Sequence, residues 1–201
     1  VGGWYDQEDF RGPLRLYQML EAHDTKGQNF ICMGPWNHSG WGSGRGDRLG
    51  RIPFESATGQ HFREQVQSPF FAYYLKDGGK PPAEAKMFQT GSNKWQTYDT
   101  WPPKGAEQRK LYLHAKGRLS FDAPKDDGGA EFAEYVSDPA NPVPYRPRPV
   151  RPTYPFPEWP EWMVQDQRFT QGRPDVLCFE TDPLEDDVTV AGSMKVKLFG
   201  S

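Results

Sequence analysis

The chain has 201 residues and a formal net charge of -3, with 35% apolar residues, 14% aromatic residues, 21 Gly and 20 Pro. Gly and Pro make up roughly a fifth of it against an average of about 12%, which argues against a helix bundle because both break helices. No apolar run approaches the ~20 residues of a membrane-spanning helix, no basic stripe marks a nucleic-acid partner, and the aromatic content sets the chain apart from disordered sequences.

Residues 1–83 read as α/β. Val1–Trp4 has the texture of the end of a buried strand. Phe10–His23 carries Leu14, Tyr17, Met19, Leu20 and Ala22 in a helical stripe, with Pro13 in the first turn. Asn29–Gly34 is a short apolar run, expected to be a core strand. A long irregular loop follows over Gly34–Gly50. Gly59–Lys76 spaces Phe62, Val66, Phe70, Phe71, Tyr74 and Leu75 as a helix, closed by Asp77-Gly78-Gly79 and Pro81-Pro82.

From residue 84 the texture turns to β. Strand-like runs are expected at Lys86–Thr90, Lys110–Leu113, Phe132–Val136, Val176–Glu180 and Val188–Phe199, separated by turn signals. These predict a sandwich or jelly roll with too few strands for the eight of a complete one. Asp138–Pro160 holds nine prolines. It reads either as a polyproline linker or as an ordered surface excursion. The second is favoured because Tyr145, Tyr154, Phe156, Trp159 and Trp162 supply area to bury. Cys32 and Cys178 sit in apolar stretches and are expected to be buried free thiols. No His spacing suits a metal together with them; His61 reads as a surface residue. The chain opens on Val at a strand end and stops inside a strand-like run, so it is expected to be a segment of something longer.

Two loops carry candidate chemistry. In Gly2-Gly3-Trp4-Tyr5-Asp6-Gln7-Glu8-Asp9 an acid follows a strand directly. In Gly34-Pro35-Trp36-Asn37-His38-Ser39 a histidine follows the next strand. Functional side chains of open α/β sheets collect at such carboxyl ends, and strands joined by one crossover helix usually lie near each other. Asp6 and His38 are therefore expected to meet. Acid before histidine is the order of an α/β-hydrolase triad, whose serine comes earlier still. Taken singly, the residues have plainer readings. Asp6 suits a helix N-cap, His38 a surface loop, and Glu8 and Asp9 the positive end of a helix. Trp36 and Trp41 fit a pocket wall and the core equally well. No Gly-x-Ser-x-Gly occurs in the chain.

Gly-Gly-Trp-Tyr-Asp at 2–6 and Gly-Pro-Trp-Asn-His-Ser at 34–39 resemble the acid and histidine motifs of the serine hydrolases that include cocaine esterase, X-prolyl dipeptidyl peptidases and α-amino acid ester hydrolases. Asp6-Gln7-Glu8-Asp9 is similar to the α-amino acid ester hydrolase and glutaryl-cephalosporin acylase branch. The resemblance continues through Arg63, Pro69-Phe70-Phe71, Tyr135-Val136-Ser137-Asp138-Pro139 and Gly172-Arg173-Pro174-Asp175-Val176. It implies the C-terminal portion of an α/β-hydrolase catalytic domain over 1–83 and a truncated jelly-roll β domain over 84–201. It further implies Asp6 as triad acid and His38 as general base. Glu8 and Asp9 become carboxylates that bind a substrate's α-ammonium group. The implied substrate is a small ester or amide with a free α-amino group, β-lactam antibiotics included, and no cofactor. The full-length protein is then expected to be a homo-oligomer, periplasmic or secreted with a cytoplasmic location as the alternative, its serine outside these residues and the chain alone inactive. An X-prolyl dipeptidyl aminopeptidase and a non-catalytic β-sandwich binding module are the alternatives.

Overall fold

The computed structural model describes residues 1–125, 132–154 and 158–200. They divide into two compact units: Val1–Lys104 with Arg151–Val164, and Gly105–Val150 with Gln165–Ser201.

A four-stranded sheet organises the first unit, in the order β1 (Gly2–Gly3), β2 (Ile31–Gly34), β5 (Ala85–Gln89), β6 (Lys94–Tyr98). The first three strands run parallel and β6 returns antiparallel. Every residue of β2 is buried, as expected of a strand covered on both faces. Its pleat sends Ile31 and Met33 to one side, where Tyr17, Ala85 and Met87 pack. Cys32 goes to the other side, against Trp36 and Phe62. A third cluster joins Leu49, Phe54 and Phe88; Leu49 belongs to a small hairpin of β3 (Arg48–Leu49) and β4 (Ile52–Pro53). Because β5 and β6 complete this sheet, the change of texture at residue 84 falls inside it.

Helix α1 (Arg11–Glu21) crosses from β1 to β2, as its stripe predicts, although only Tyr17 is fully buried. The helix expected over 59–76 is three pieces: α2 (Thr58–Phe62), a π-helical turn (Arg63–Gln67) and α3 (Ser68–Lys76). Pro69 supplies the reason. It has no N–H to give the Gln65 carbonyl and its ring presses on that position; a wider turn ahead of it relieves the clash. Asp77 ends α3 in the left-handed region at φ 49°, where Asp is tolerated. A short α4 (Glu158–Met163) was not legible in the proline-rich stretch.

The second unit departs from the expected sandwich. Among the described residues its pairing is a hairpin of β7 (Tyr112–His114) and β8 (Arg118–Ser120), with Arg118 bridged to Glu180. The run at 176–180 is thus reduced to one bridge. The runs at Phe132–Val136 and Val188–Phe199 form no strand. Val136 is 82% exposed and Phe199 90%. A strand pattern becomes a strand only where a neighbour supplies the ladder, and these runs have none among the described residues. In the proline-rich excursion Trp159 and Trp162 stack at 5.3 Å, whereas Tyr145 and Tyr154 are exposed; Phe156 lies outside the described residues.

Candidate active site

The site is built by the backbone before any side chain enters. Strand β1 is two glycines, paired with the end of β2 as Gly2 to Met33 and Gly3 to Gly34. A Cβ on Gly3 would stand 2.1 Å from the Trp36 carbonyl oxygen, so only glycine lets the two chain segments close. Beyond the strands the ladder continues. The Trp4 N–H donates to the Gly34 carbonyl at 2.8 Å and the Tyr5 N–H to that of Trp36 at 3.0 Å. The loops after β1 and β2 therefore leave the sheet side by side.

Asp6 is the first side chain past this junction, and it is buried. Its Oδ1 accepts the N–H groups of Glu8 at 2.8 Å and Asp9 at 2.9 Å, closing a tight turn in the manner of Asx caps. Asp9 repeats the device one turn on, its Oδ1 accepting the Gly12 N–H at 2.8 Å at the start of α1. The side chain that accepts an N–H at the start of α1 is thus Asp9, and Asp6 closes only its own turn.

His38 reaches this carboxylate from the other loop. Its Nδ1 lies 3.1 Å from Oδ2 and 3.2 Å from Oδ1 of Asp6. A carboxylate only accepts, so Nδ1 carries a proton; in the neutral ring Nε2 then keeps its lone pair. The imidazole side chain is 44% exposed, and its Nε2 stands 3.7 Å from Glu8 Oε2. Burial pushes the Asp6 carboxyl up, but the two backbone N–H donors and His38 outweigh it and hold its pKa below the ordinary carboxylate value. The pair is thus a buried, ionised acid fixing one face of a half-exposed imidazole.

The loop bearing His38 has no regular structure until β3. It is folded by turns, with Gly40 N–H to Asn37 carbonyl and Gly42 N–H to Ser39 carbonyl. Ser39 takes φ 59°, a strained value for serine. Trp36 anchors it from below, fully in the core. Its indole N–H donates to Thr58 Oγ1 at 2.9 Å, and that hydroxyl donates to the Gly46 carbonyl. Trp36 is thus core, and Trp41 packs beside it at 5.9 Å.

Asp6 and His38 meet as expected from the two strand ends, Glu8 stands beside His38, and Asp9 spends one oxygen on the helix end. Two expectations are corrected. Cys178 is an exposed free thiol, because the run around it forms no strand to bury it. His61 is half-buried, its ring stacked on Trp95 at 5.0 Å, since the π-turn and α2 fold back over β6. Cys32 is buried and free, and burial pushes its thiol up to about 12, so it is inert as a nucleophile. Sequence reasoning missed Thr58. A Thr ahead of a helical run signals an N-cap, but it gives no hint of a tie to a loop twelve residues away.

The X-Pro dipeptidyl-peptidase C-terminal non-catalytic domain matches residues 66–201. Asp6, Glu8, Asp9 and His38 all lie ahead of that stretch. The chain is 29% identical to cocaine esterase of Rhodococcus sp. (strain MB1 Bresler), over all of this chain and 35% of that protein. The solved structure of an aminopeptidase from a marine sediment archaeon, Thaumarchaeota archaeon, superposes with a TM-score of 0.83 at 44% identity, covering 92% of this chain and 30% of that one. An α-amino acid ester hydrolase structure gives 0.83 at 42% identity, covering 94% and 32%. The chain spans roughly a third of the length of these relatives. With more than half of its residues matched to the C-terminal domain, the chain belongs to the cocaine esterase and X-Pro dipeptidyl-peptidase family of hydrolases.

Proposed function

We propose that the full-length protein is a serine hydrolase that cleaves esters or amides of α-amino acids, or passes their acyl group to an amine. The observation that carries this reading is the Asp6–His38 pair, with Nδ1 tied to a buried carboxylate and Nε2 presented outward. That is the arrangement general-base catalysis requires. His38 Nε2 takes the proton of a serine hydroxyl as its oxygen attacks the acyl carbon. It returns that proton to the leaving alcohol or amine, and then activates water or an acceptor amine to release the acyl group. Asp6 holds the tautomer and stabilises the imidazolium formed in each half-reaction. The serine and its oxyanion donors come from outside residues 1–201. In this reading the first unit, with its sheet of β1, β2, β5 and β6, belongs to an α/β-hydrolase domain and the second unit to an incomplete jelly roll.

Glu8 and the free oxygen of Asp9 bind the substrate's α-ammonium group through charge-assisted hydrogen bonds. Glu8 suits this because its carboxylate stands beside His38 Nε2, where the acyl group must sit. In the full-length protein, Glu8→Gln is expected to lower kcat/KM for α-amino esters about tenfold, the exposure of Glu8 limiting the effect. Esters lacking the amine should be unchanged; an equal loss on both classes rules out the ammonium role. The resemblance to an aminopeptidase favours a second reading, in which the same carboxylates hold the amino terminus of an X-Pro peptide. Relative kcat/KM on an α-amino acid ester and an X-Pro anilide separates the two. Purified residues 1–201 should turn over neither substrate while the full-length protein turns over at least one. Hydrolysis by the isolated chain, free of contaminating esterase, means that the serine has been misplaced.

A further inference from the structure

We infer that Arg63 is a positioning residue for His38, a guanidinium clamp that sets the histidine loop against Asp6; the catalytic part of this inference rests on the function proposed above. Past Trp36, where the ladder to the β1 side ends, the loop has no strand pairing to hold it until β3. Arg63 supplies what is lacking. Its Nη1 donates to the Trp41 carbonyl at 2.9 Å and its Nη2 to the Gly44 carbonyl at 2.6 Å. One planar fork thus spans two carbonyls on the far side of the His38 turn. Arginine is suited to this because its donors are fixed in one plane, whereas lysine is a single flexible ammonium.

The clamp is itself held in place. Arg63 opens the π-helical turn, and its own carbonyl accepts the Ser68 N–H across the widened turn. The first residues of α2, one turn ahead of Arg63, tie the loop further along, with the Gly59 N–H donating to the Arg45 carbonyl at 2.9 Å and Thr58 bonded to the Gly46 carbonyl. Gly40 comes close enough to Gly59 that a Cβ there would lie 3.4 Å from the Gly40 oxygen. From the Trp41 carbonyl the chain runs back through Gly40 and the left-handed Ser39 to His38. A strained residue beside the base persists only where its surroundings over-determine it. Arg63 acts through the backbone and does not touch the reacting atoms.

The test uses the full-length protein, with Arg63→Lys and Arg63→Ala. Two readouts are needed. In Arg63→Lys, amide hydrogen exchange over residues 37–46 should speed up at least tenfold while protection of β2 is unchanged. On a substrate the wild type hydrolyses, kcat should fall about tenfold in Arg63→Lys and further in Arg63→Ala, with KM within twofold. Millimolar guanidinium should restore part of the Arg63→Ala activity and none of that lost in Asp6→Asn. Tyr17→Phe breaks the Tyr17 hydroxyl bond to Glu84 Oε1. It is the control for lowered stability alone, and its kcat should stay within twofold of wild type. Unchanged loop protection, or a fall in kcat no larger than that of Tyr17→Phe, overturns the clamp. Wild type without hydrolase activity, or Asp6→Asn with full activity, overturns the proposed function and leaves the exchange result to decide the clamp.

Discussion

Asp6→Asn in the full-length protein is expected to lower kcat by about 10⁴-fold with little change in KM. The size comes from the serine-protease precedent, where the same exchange leaves the geometry intact and traps the wrong tautomer. Here the outcome is set by which atoms donate. Asp6 Oδ1 already takes two backbone N–H groups, so an asparagine keeps its carbonyl oxygen there. Its amide nitrogen then replaces Oδ2, 3.1 Å from His38 Nδ1. An amide N–H donates, so Nδ1 must give up its proton and Nε2 carries it instead. A protonated Nε2 cannot accept from a serine hydroxyl. Steady-state kinetics check this directly, and a loss below tenfold sinks Asp6 as the triad acid. The exchange has a second signature. Folding lowers the Asp6 pKa, so its contribution to stability is present above the ordinary carboxylate pKa. That contribution is lost as pH falls through the lowered value. Asp6→Asn should flatten that acid limb of the stability profile.

Gly3→Ala is expected to cost about 1–3 kcal/mol of stability, the usual range for overfilling a packed site, and about 10²-fold in kcat. The new methyl would lie 2.1 Å from the Trp36 oxygen and 2.8 Å from its carbonyl carbon. Both are backbone atoms and cannot swing aside. The junction must open, and it is the junction that sets Asp6 against His38. A misplacement of about 1 Å at a reacting group is enough for such a loss. Thermal unfolding and kinetics on the same preparation separate the two effects. Wild-type kcat in a folded Gly3→Ala protein would show that the junction does not set the pair.

The sheet of the first unit was readable because its signals are local. Asn29–Gly34 is a short apolar run, Phe10–His23 has helical spacing, and an acid and a histidine follow successive strands. What was not readable depends on partners distant in sequence. Val188–Phe199 alternates like a strand, yet no neighbour within the described residues pairs with it, and alternation says nothing about whether one exists. The break in the 59–76 helix follows from Pro69, a residue that also suits the first turn of a helix; only the turn before it tells the cases apart. Arg63 falls within the family resemblance, but nothing in the sequence marks what it holds. Its role is set by where two loop carbonyls point, and backbone direction in an irregular loop has no sequence signature. Cys178 shows the same limit, since its apolar neighbours predict burial that only a paired strand provides.

The two-glycine strand has a further consequence for how such a site changes over time. The pair is brought together by main-chain groups, and most of the side chains around the mouth take no part in placing it. The Glu8 side chain is exposed, and Asp6 draws only on its backbone N–H. Residues at the rim are then free to vary with the amine, ester or peptide being handled, while the proton-transfer geometry stays constant. Selection for a new substrate would rework positions such as Glu8 first, and drift at Gly3 would be the last change tolerated.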